Sequence, residues 1–246
     1  MSFEEVSRPI QERWAEIVQH VKDEYLSTAQ SYPWIVGFSG GKDSTALMYA
    51  MHLFSRFSPA RFTVCAITVD LGLEPFITAP TEEFCRNNGI EYDIIRTDIG
   101  RIVFDIRKEP NPCSLCAKMR RGALNNAARD AGCNKVALGH HRDDLIDTFF
   151  LSLMYESRIY ALAPKTYLSR TGLTVIRPLI LTPEKETKRV CRQYNLPVLD
   201  SPCPTCGQTK REEAKRIIGE LQKAVPDVRE KVFSALHNRN YHLWDD

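Results

Sequence analysis

The sequence predicts an α/β protein: a doubly wound, mostly parallel sheet with a small helical part at its C-terminal end. Three observations predict it. From residue 34 onward, short apolar runs of strand type alternate with helix-type segments. That alternation is the mark of parallel strands joined by right-handed crossovers and covered on both faces. A glycine-rich turn, Ser39-Gly40-Gly41-Lys42-Asp43-Ser44, joins the first strand to its helix, and two helical stretches follow the last strand.

Residues 3–26 read as an amphipathic helix carrying Val6, Ile10, Trp14, Ile17, Val18 and Val21, with Pro9 marking its early part or a break. Trp34 to Phe38 is short and apolar, as a buried strand is, and Leu47, Met48, Met51 and Leu53 continue from the glycine turn as a helix. Phe62 to Val69 follows as a strand, Thr81 to Asn88 as a helix and Tyr92 to Arg96 as a strand. Gly100 to Pro112 is less regular. Asn134 to Leu138 is a strand and Asp143 to Tyr155 a helix; residues 156–175 form a loop or short hairpin before Val175-Ile176. Pro183 opens a helix through Tyr194, since proline suits a first turn. Glu212 to Lys223 and Val228 to Leu236 read as two further helices. The expected organisation is an N-terminal helical segment (1–30), an α/β domain (31–200) and a C-terminal helical segment (201–246).

The 246 residues carry 33 Lys and Arg against 31 Asp and Glu, so net charge alone does not announce a nucleic-acid partner. No apolar run approaches the roughly 20 residues that span a bilayer. The first residues are acidic and lack the apolar stretch of a signal peptide. A cytoplasmic location without membrane association is expected.

Ser39 to Ser44 is the sharpest local signal. A turn between a strand and a helix aims backbone N–H groups and the positive helix end at an anion. Gly40 and Gly41 let the backbone approach a phosphate, Ser39 and Ser44 add hydroxyls, and Lys42 adds charge. It is not a Walker A loop: Val36 stands where that pattern needs glycine, and Asp43 where it needs Ser or Thr. Asp43 there suggests help with Mg²⁺ held by a polyphosphate. Leu138-Gly139-His140-His141-Arg142-Asp143-Asp144 lies at the carboxyl end of another strand, and Asp70 ends a third. Ligands bind at that edge of open α/β sheets. Asp143 and Asp144 can hold a cation or act as a base, or simply cap the next helix.

Four of the 8 cysteines form two Cys-x-x-Cys pairs, Cys113/Cys116 and Cys203/Cys206, each expected in a proline-bounded loop before a helix. Spacing alone favours a four-cysteine zinc site, with a redox pair or an iron–sulfur cluster as the other readings.

Ser39 to Ser44 resembles the SGGxDS signature of the PP-loop (N-type ATP pyrophosphatase) superfamily, which has adenine nucleotide alpha hydrolase-like topology. Leu138 to Asp144 resembles the GHHxDD motif of its tRNA-thiolating branch. Pro112 to Gly122, Arg177-Pro178-Leu179 with Pro183 to Glu186, and Pro202 to Gly207 are similar to the 2-thiocytidine synthetase type of tRNA thiolase. These motifs run in order from about Trp34 to Asn238.

The resemblance implies an adenylating tRNA sulfurtransferase that uses ATP and Mg²⁺, releases pyrophosphate and delivers sulfur from a 4Fe-4S cluster. It implies ATP binding by Ser39, Gly40, Gly41, Lys42, Asp43, Ser44, Asp70, Gly139 and His140. It implies catalytic roles for Asp43, Asp143, Asp144 and Arg120. Cys113, Cys116 and Cys203 are the implied cluster ligands, with the fourth iron open to sulfide and Cys206 spare. Lys118, Arg121, Lys185 and Arg189 are the implied contacts to tRNA, a pyrimidine of whose anticodon loop is the target. A sulfur donor such as a cysteine desulfurase and a homodimer are further implied partners. Arg120 departs from the lysine common there, and arginine stabilises charge without moving a proton. Glu156-Ser157 replaces a glycine pair after Tyr155. A PP-loop ligase or small-molecule thiolase, each without a cluster, and a zinc-stabilised nucleotide-binding module stand as the alternatives.

Overall fold

The computed structural model describes residues 33–58, 62–108, 111–207 and 209–238. The helical segment expected over 1–30 lies outside the described residues. The chain forms β1 (Trp34–Gly37), α1 (Lys42–Phe57), β2 (Val64–Asp70), α2 (Ala79–Asn88), β3 (Glu91–Arg96) and a π-helical turn (Arg101–Ile106). There follow α3 (Pro112–Asp130), β4 (Lys135–Ala137), α4 (Arg142–Tyr155), β5 (Lys165–Leu168), β6 (Leu173–Ile176), α5 (Glu184–Gln193), α6 (Lys210–Ala224) and α7 (Val228–His237).

The six strands form one sheet in the order β3-β2-β1-β4-β6-β5. All neighbours are parallel except β5, which runs antiparallel to β6 at the edge. The residues of β1 explain the double winding. Trp34, Val36 and Phe38 point into one apolar layer with Leu47, Met48 and Met51 of α1. Ile35 points into the other, with Leu124 and Ala128 of α3 and Val136 and Val175 of the adjoining strands. A strand buried on both faces reads as an unbroken apolar run. A Cβ on Gly37 would come within 3.0 Å of Leu124 and Leu138, so this position stays bare where helix and strand press together.

Because β2 and β3 lie to one side of β1 and β4 to the other, the chain reverses direction between β1 and β4. That switch point leaves a crevice at the carboxyl ends of the strands. A third apolar group joins Leu145 and Ile146 of α4 to Ile218 of α6, with Val232, Phe233 and Leu236 of α7 packed on it. The C-terminal helices are thereby fastened to α4, whose first turn faces the crevice.

The irregular stretch after Gly100 holds the π-helical turn, and the short hairpin expected before Val175-Ile176 is formed by β5 and β6, closed by Gly172 at φ +69°. One local expectation needs correction. The first cysteine pair is not in a loop before a helix. Pro112, lacking an N–H, starts α3 itself, so Cys113 and Cys116 occupy its first turns three residues apart on one face. Among the described residues, no helix is long and apolar enough to cross a membrane.

Candidate functional site

The phosphate loop is held from within and from behind. The Ser44 hydroxyl accepts from the Ser39 amide (3.2 Å), lies 3.1 Å from the Ser39 hydroxyl and donates to the Gly41 carbonyl (2.9 Å). Gly41 is the N-cap of α1 and has no capping side chain, so the first turn presents its N–H groups as an anion site. Gly40 has φ +77°, and a Cβ there would meet the Leu199 side chain at 2.7 Å. Leu199 also donates its amide to the Gly40 carbonyl at 2.9 Å.

Asp43 is the hub behind the loop. Its Oδ2 takes the Lys42 ammonium at 2.6 Å, its Oδ1 takes the Thr187 hydroxyl at 2.7 Å, and His141 Nε2 stands 3.6 Å from Oδ1. Lys42 also meets Glu184 at 2.9 Å. Burial pushes the Asp43 carboxyl up, but the His141, Lys42 and Thr187 contacts outweigh burial and hold it well below the usual carboxylate range. Burial pulls Lys42 down, and its bonds to Asp43 and Glu184 outweigh that and raise it. Both groups are therefore charged at neutral pH.

The second strand-end cluster meets this hub. Gly139 presses against it: a Cβ would lie 2.9 Å from the Asp43 carbonyl carbon and oxygen and the Ser44 nitrogen. His141, not either aspartate, caps α4; its Nδ1 accepts from the Asp144 amide at 3.2 Å while Asp144 Oδ2 accepts from the His141 amide at 3.1 Å. An accepting Nδ1 leaves the proton on Nε2, directed at Asp43. Burial lowers His141, and the bond to Asp43 with the Asp144 charge raises it overall. His140 is different: burial dominates and pushes it down to about 4, so it is neutral.

Asp143 and Asp144 are already engaged. Asp143 Oδ2 accepts from the Glu184 amide at 2.7 Å and Oδ1 from Arg229 at 3.1 Å. Asp144 Oδ1 receives Arg211 at 3.4 Å. One turn on, Asp147 is 1% exposed, with both carboxylate oxygens lacking a hydrogen bond and Arg229 at 3.7 Å. Burial pushes it up to about 6. Asp70, at the end of β2, accepts from the Gly72 amide at 2.8 Å and shapes the adjoining loop.

The structure brings three of the four paired cysteines together. The Thr205 hydroxyl lies 3.5 Å from Cys113 Sγ and 3.2 Å from Cys203 Sγ. Burial pushes the Cys116 thiol up; the Arg120 charge opposes this, and Cys203 and Cys113 add to it. Cys206 is exposed, its amide bonded to the Cys203 carbonyl at 3.1 Å. Among the described residues no three His, Cys, Asp or Glu side chains converge on one point suited to a single ion. Thiolates ligate both iron–sulfur clusters and zinc, so Cys113, Cys116 and Cys203 fit a thiolate-held metal group by the chemistry of the donor set.

Lys118, Arg120 and Arg121 are exposed on α3. Lys185 and Arg189, with Lys188, Arg192 and Gln193, line a groove on α5. These two basic faces belong to separate helices. Sequence reasoning left out Glu184, Thr187, Leu199, Thr205, Arg211 and Arg229. Each builds the site through a partner more than 60 residues away in the chain, a relation no local pattern carries.

The fold and its phosphate loop define a PP-loop nucleotide-binding protein, and the PP-loop domain family matches residues 9–219. The chain belongs to that family. Its relatives include the tRNA-cytidine(32) 2-sulfurtransferases of Citrifermentans bemidjiense, 36% identical over 85% of this chain and 84% of that protein, and of Alkalilimnicola ehrlichii, 34% identical over 97% and 77%. Among solved structures it is similar to the U34-tRNA thiolase NcsA from Methanococcus maripaludis with its [4Fe-4S] cluster. That match has a TM-score of 0.74 at 25% identity and covers 93% of this chain and 81% of that one.

Proposed function

We propose that the protein is an ATP-dependent tRNA sulfurtransferase that replaces the C2 oxygen of an anticodon-loop cytidine with sulfur. One observation carries the reading: the segment from Leu199 to Arg211 touches all parts of the site. Leu199 bonds to Gly40 of the phosphate loop, Thr205 meets Cys113 and Cys203, and Arg211 meets Asp144. One stretch of chain thus links the phosphate loop to the thiols, which supports reading them as parts of one centre. The names of the relatives supply the substrate class.

In this reading MgATP lies on residues 39–44, its phosphates on the free N–H groups of α1. Asp43, Asp70, Gly139 and His140 complete the nucleotide site. The C2 oxygen attacks the α-phosphorus and pyrophosphate leaves, which converts a poor leaving group into AMP. Lys42, fixed by Asp43 and Glu184, holds positive charge where phosphate charge develops; such preorganised charge is worth several kcal/mol to a transfer. Neutral His140 lends no charge, while Asp143 and Asp144 orient the metal-bound phosphates or accept a proton. Cys113, Cys116 and Cys203 would hold a 4Fe-4S cluster, which would supply the sulfur that takes the place of the C2 oxygen as AMP departs. Arg120 stabilises negative charge beside those thiolates. Lys118, Arg121, Lys185 and Arg189 meet tRNA phosphates, and the target base is read unstacked from its loop.

Residues 31–200 act as the adenylating domain and 201–246 as the segment that brings the second cysteine pair. A cysteine desulfurase-type donor restores the sulfur, the protein acts in the cytoplasm, and it works as a homodimer.

Anaerobically purified protein incubated with MgATP, sulfide and tRNA tests the reading. Nucleoside mass spectrometry should find 2-thiocytidine with pyrophosphate released. Pyrophosphate release with no thiolated nucleoside in any tRNA would leave the tRNA reading without support.

A further inference from the structure

The two cysteine pairs are 90 residues apart in the chain, and one small side chain stands between them. Thr205 is itself the x-residue of the second pair, between Pro204 and Cys206. Its hydroxyl lies within hydrogen-bond distance of Cys203 on its own loop and of Cys113 on the first turn of α3. It is half-buried, as are both thiols. Other described contacts of this loop run to itself: the Cys203 amide to the Ser201 hydroxyl, and the Cys206 amide to the Cys203 carbonyl. Among the described residues, the Thr205 hydroxyl is thus the hydrogen-bonding link from the second loop to α3.

We infer that Thr205 is a positioning residue that holds the second cysteine loop against α3 and donates its proton to a cluster-ligating sulfur. The inference rests on the cluster reading above. A hydroxyl has one proton to give. With both thiols protonated it can donate to one and accept from the other. When both sulfurs are thiolates it can only donate, and to one at a time; Cys203, the nearer, takes that bond. Hydrogen bonds to ligand sulfurs withdraw charge and favour the more negative, reduced cluster, which raises its potential. Threonine at this position therefore does two things that valine of the same shape does not: in the cluster-free protein it ties the second cysteine loop to α3, and beside thiolates it donates to Cys203 and sets the redox poise of that ligand.

The test compares wild type, Thr205→Val and Thr205→Ser. In anaerobically reconstituted protein, the reduction potential is followed by absorbance in a redox titration. Valine should shift the potential to a more negative value and serine should restore it. A potential unchanged by valine overturns the inference. If wild type takes up no iron, the cluster reading itself fails, and cluster-free protein decides the positioning role. Dibromobimane, which bridges two neighbouring thiols, should join Cys113 to Cys203 in wild type and Thr205→Ser, located by peptide mass spectrometry. A severalfold lower yield in Thr205→Val supports the tie. An equal yield overturns it.

Discussion

The phosphate loop and the cysteine pairs are built by opposite strategies. The loop is six consecutive residues, folded by its own hydroxyls and seated where one strand hands over to one helix. The cysteine centre is assembled from the first turn of α3 and a loop ninety residues later, joined through a single hydroxyl. The loop's charges are also paired and locked, whereas one thiol of the second pair is exposed. A site that binds the same phosphates in every cycle can be rigid and local. A site that must present sulfur gains by drawing its ligands from separate segments, whose spacing other contacts can adjust.

The largest effect expected is on the cysteine side alone. Cys203→Ala should abolish 2-thiolation, measured by nucleoside mass spectrometry, and bleach the absorbance of the purified protein, while MgATP affinity by calorimetry stays at the wild-type value. Loss of ATP binding in that variant would break the division between the two halves.

Asp43→Asn strikes the other half. It removes the shared partner of Lys42, Thr187 and His141. Pyrophosphate formation should fall by about 10²–10³, as when a preorganised charge is lost, with the iron content untouched. Gly139→Ala should sharpen the same boundary. Its new methyl would press on the backbone of Asp43 and Ser44, and the strain should weaken ATP binding by roughly tenfold, at about 1–3 kcal/mol for overpacking.

Asp147 gives a pH-dependent test of the brace between α4 and the C-terminal helices. Its folded pKa is raised to about 6 by burial. Above that pH the buried charge costs stability, and the cost fades as pH falls from about 6 toward the unfolded value. Asp147→Asn should therefore be more stable than wild type by about 2 kcal/mol at pH 8 in urea unfolding, with the difference shrinking at pH 5. A pH-independent difference would remove the buried charge as its cause. The smallest effect belongs to the exposed face: Arg121→Ala should weaken tRNA binding severalfold and lower the salt slope by about one.

The α/β fold was legible because β1 is buried on both faces and because Gly-Gly followed by Lys-Asp sits at a strand-to-helix junction; both are local patterns. The loop residues were legible for the same reason, being contiguous. The start of α3 was misread because Pro112 punctuates a loop as readily as it opens a helix, and only the observed backbone decides. Asp144 was readable as a cap or a catalyst; the cap it shares with His141 emerges only from geometry. Arg211 and Arg229 have no pattern at all, and Thr205, though inside the Pro202 to Gly207 motif, is not marked by it as a contact, since each matters through the residue it reaches.

The bond from Leu199 to Gly40 sets a length. Between that anchor and Cys203 lie only Asp200, Ser201 and Pro202, a leash that even fully stretched reaches roughly 14 Å at ~3.5 Å per residue. Adding or removing one residue would change that reach by about 3.5 Å, as much as the whole separation of two atoms poised to react. Between these two positions the number of residues is itself a dimension of the fold, since it limits how far Cys203 can lie from the phosphate loop.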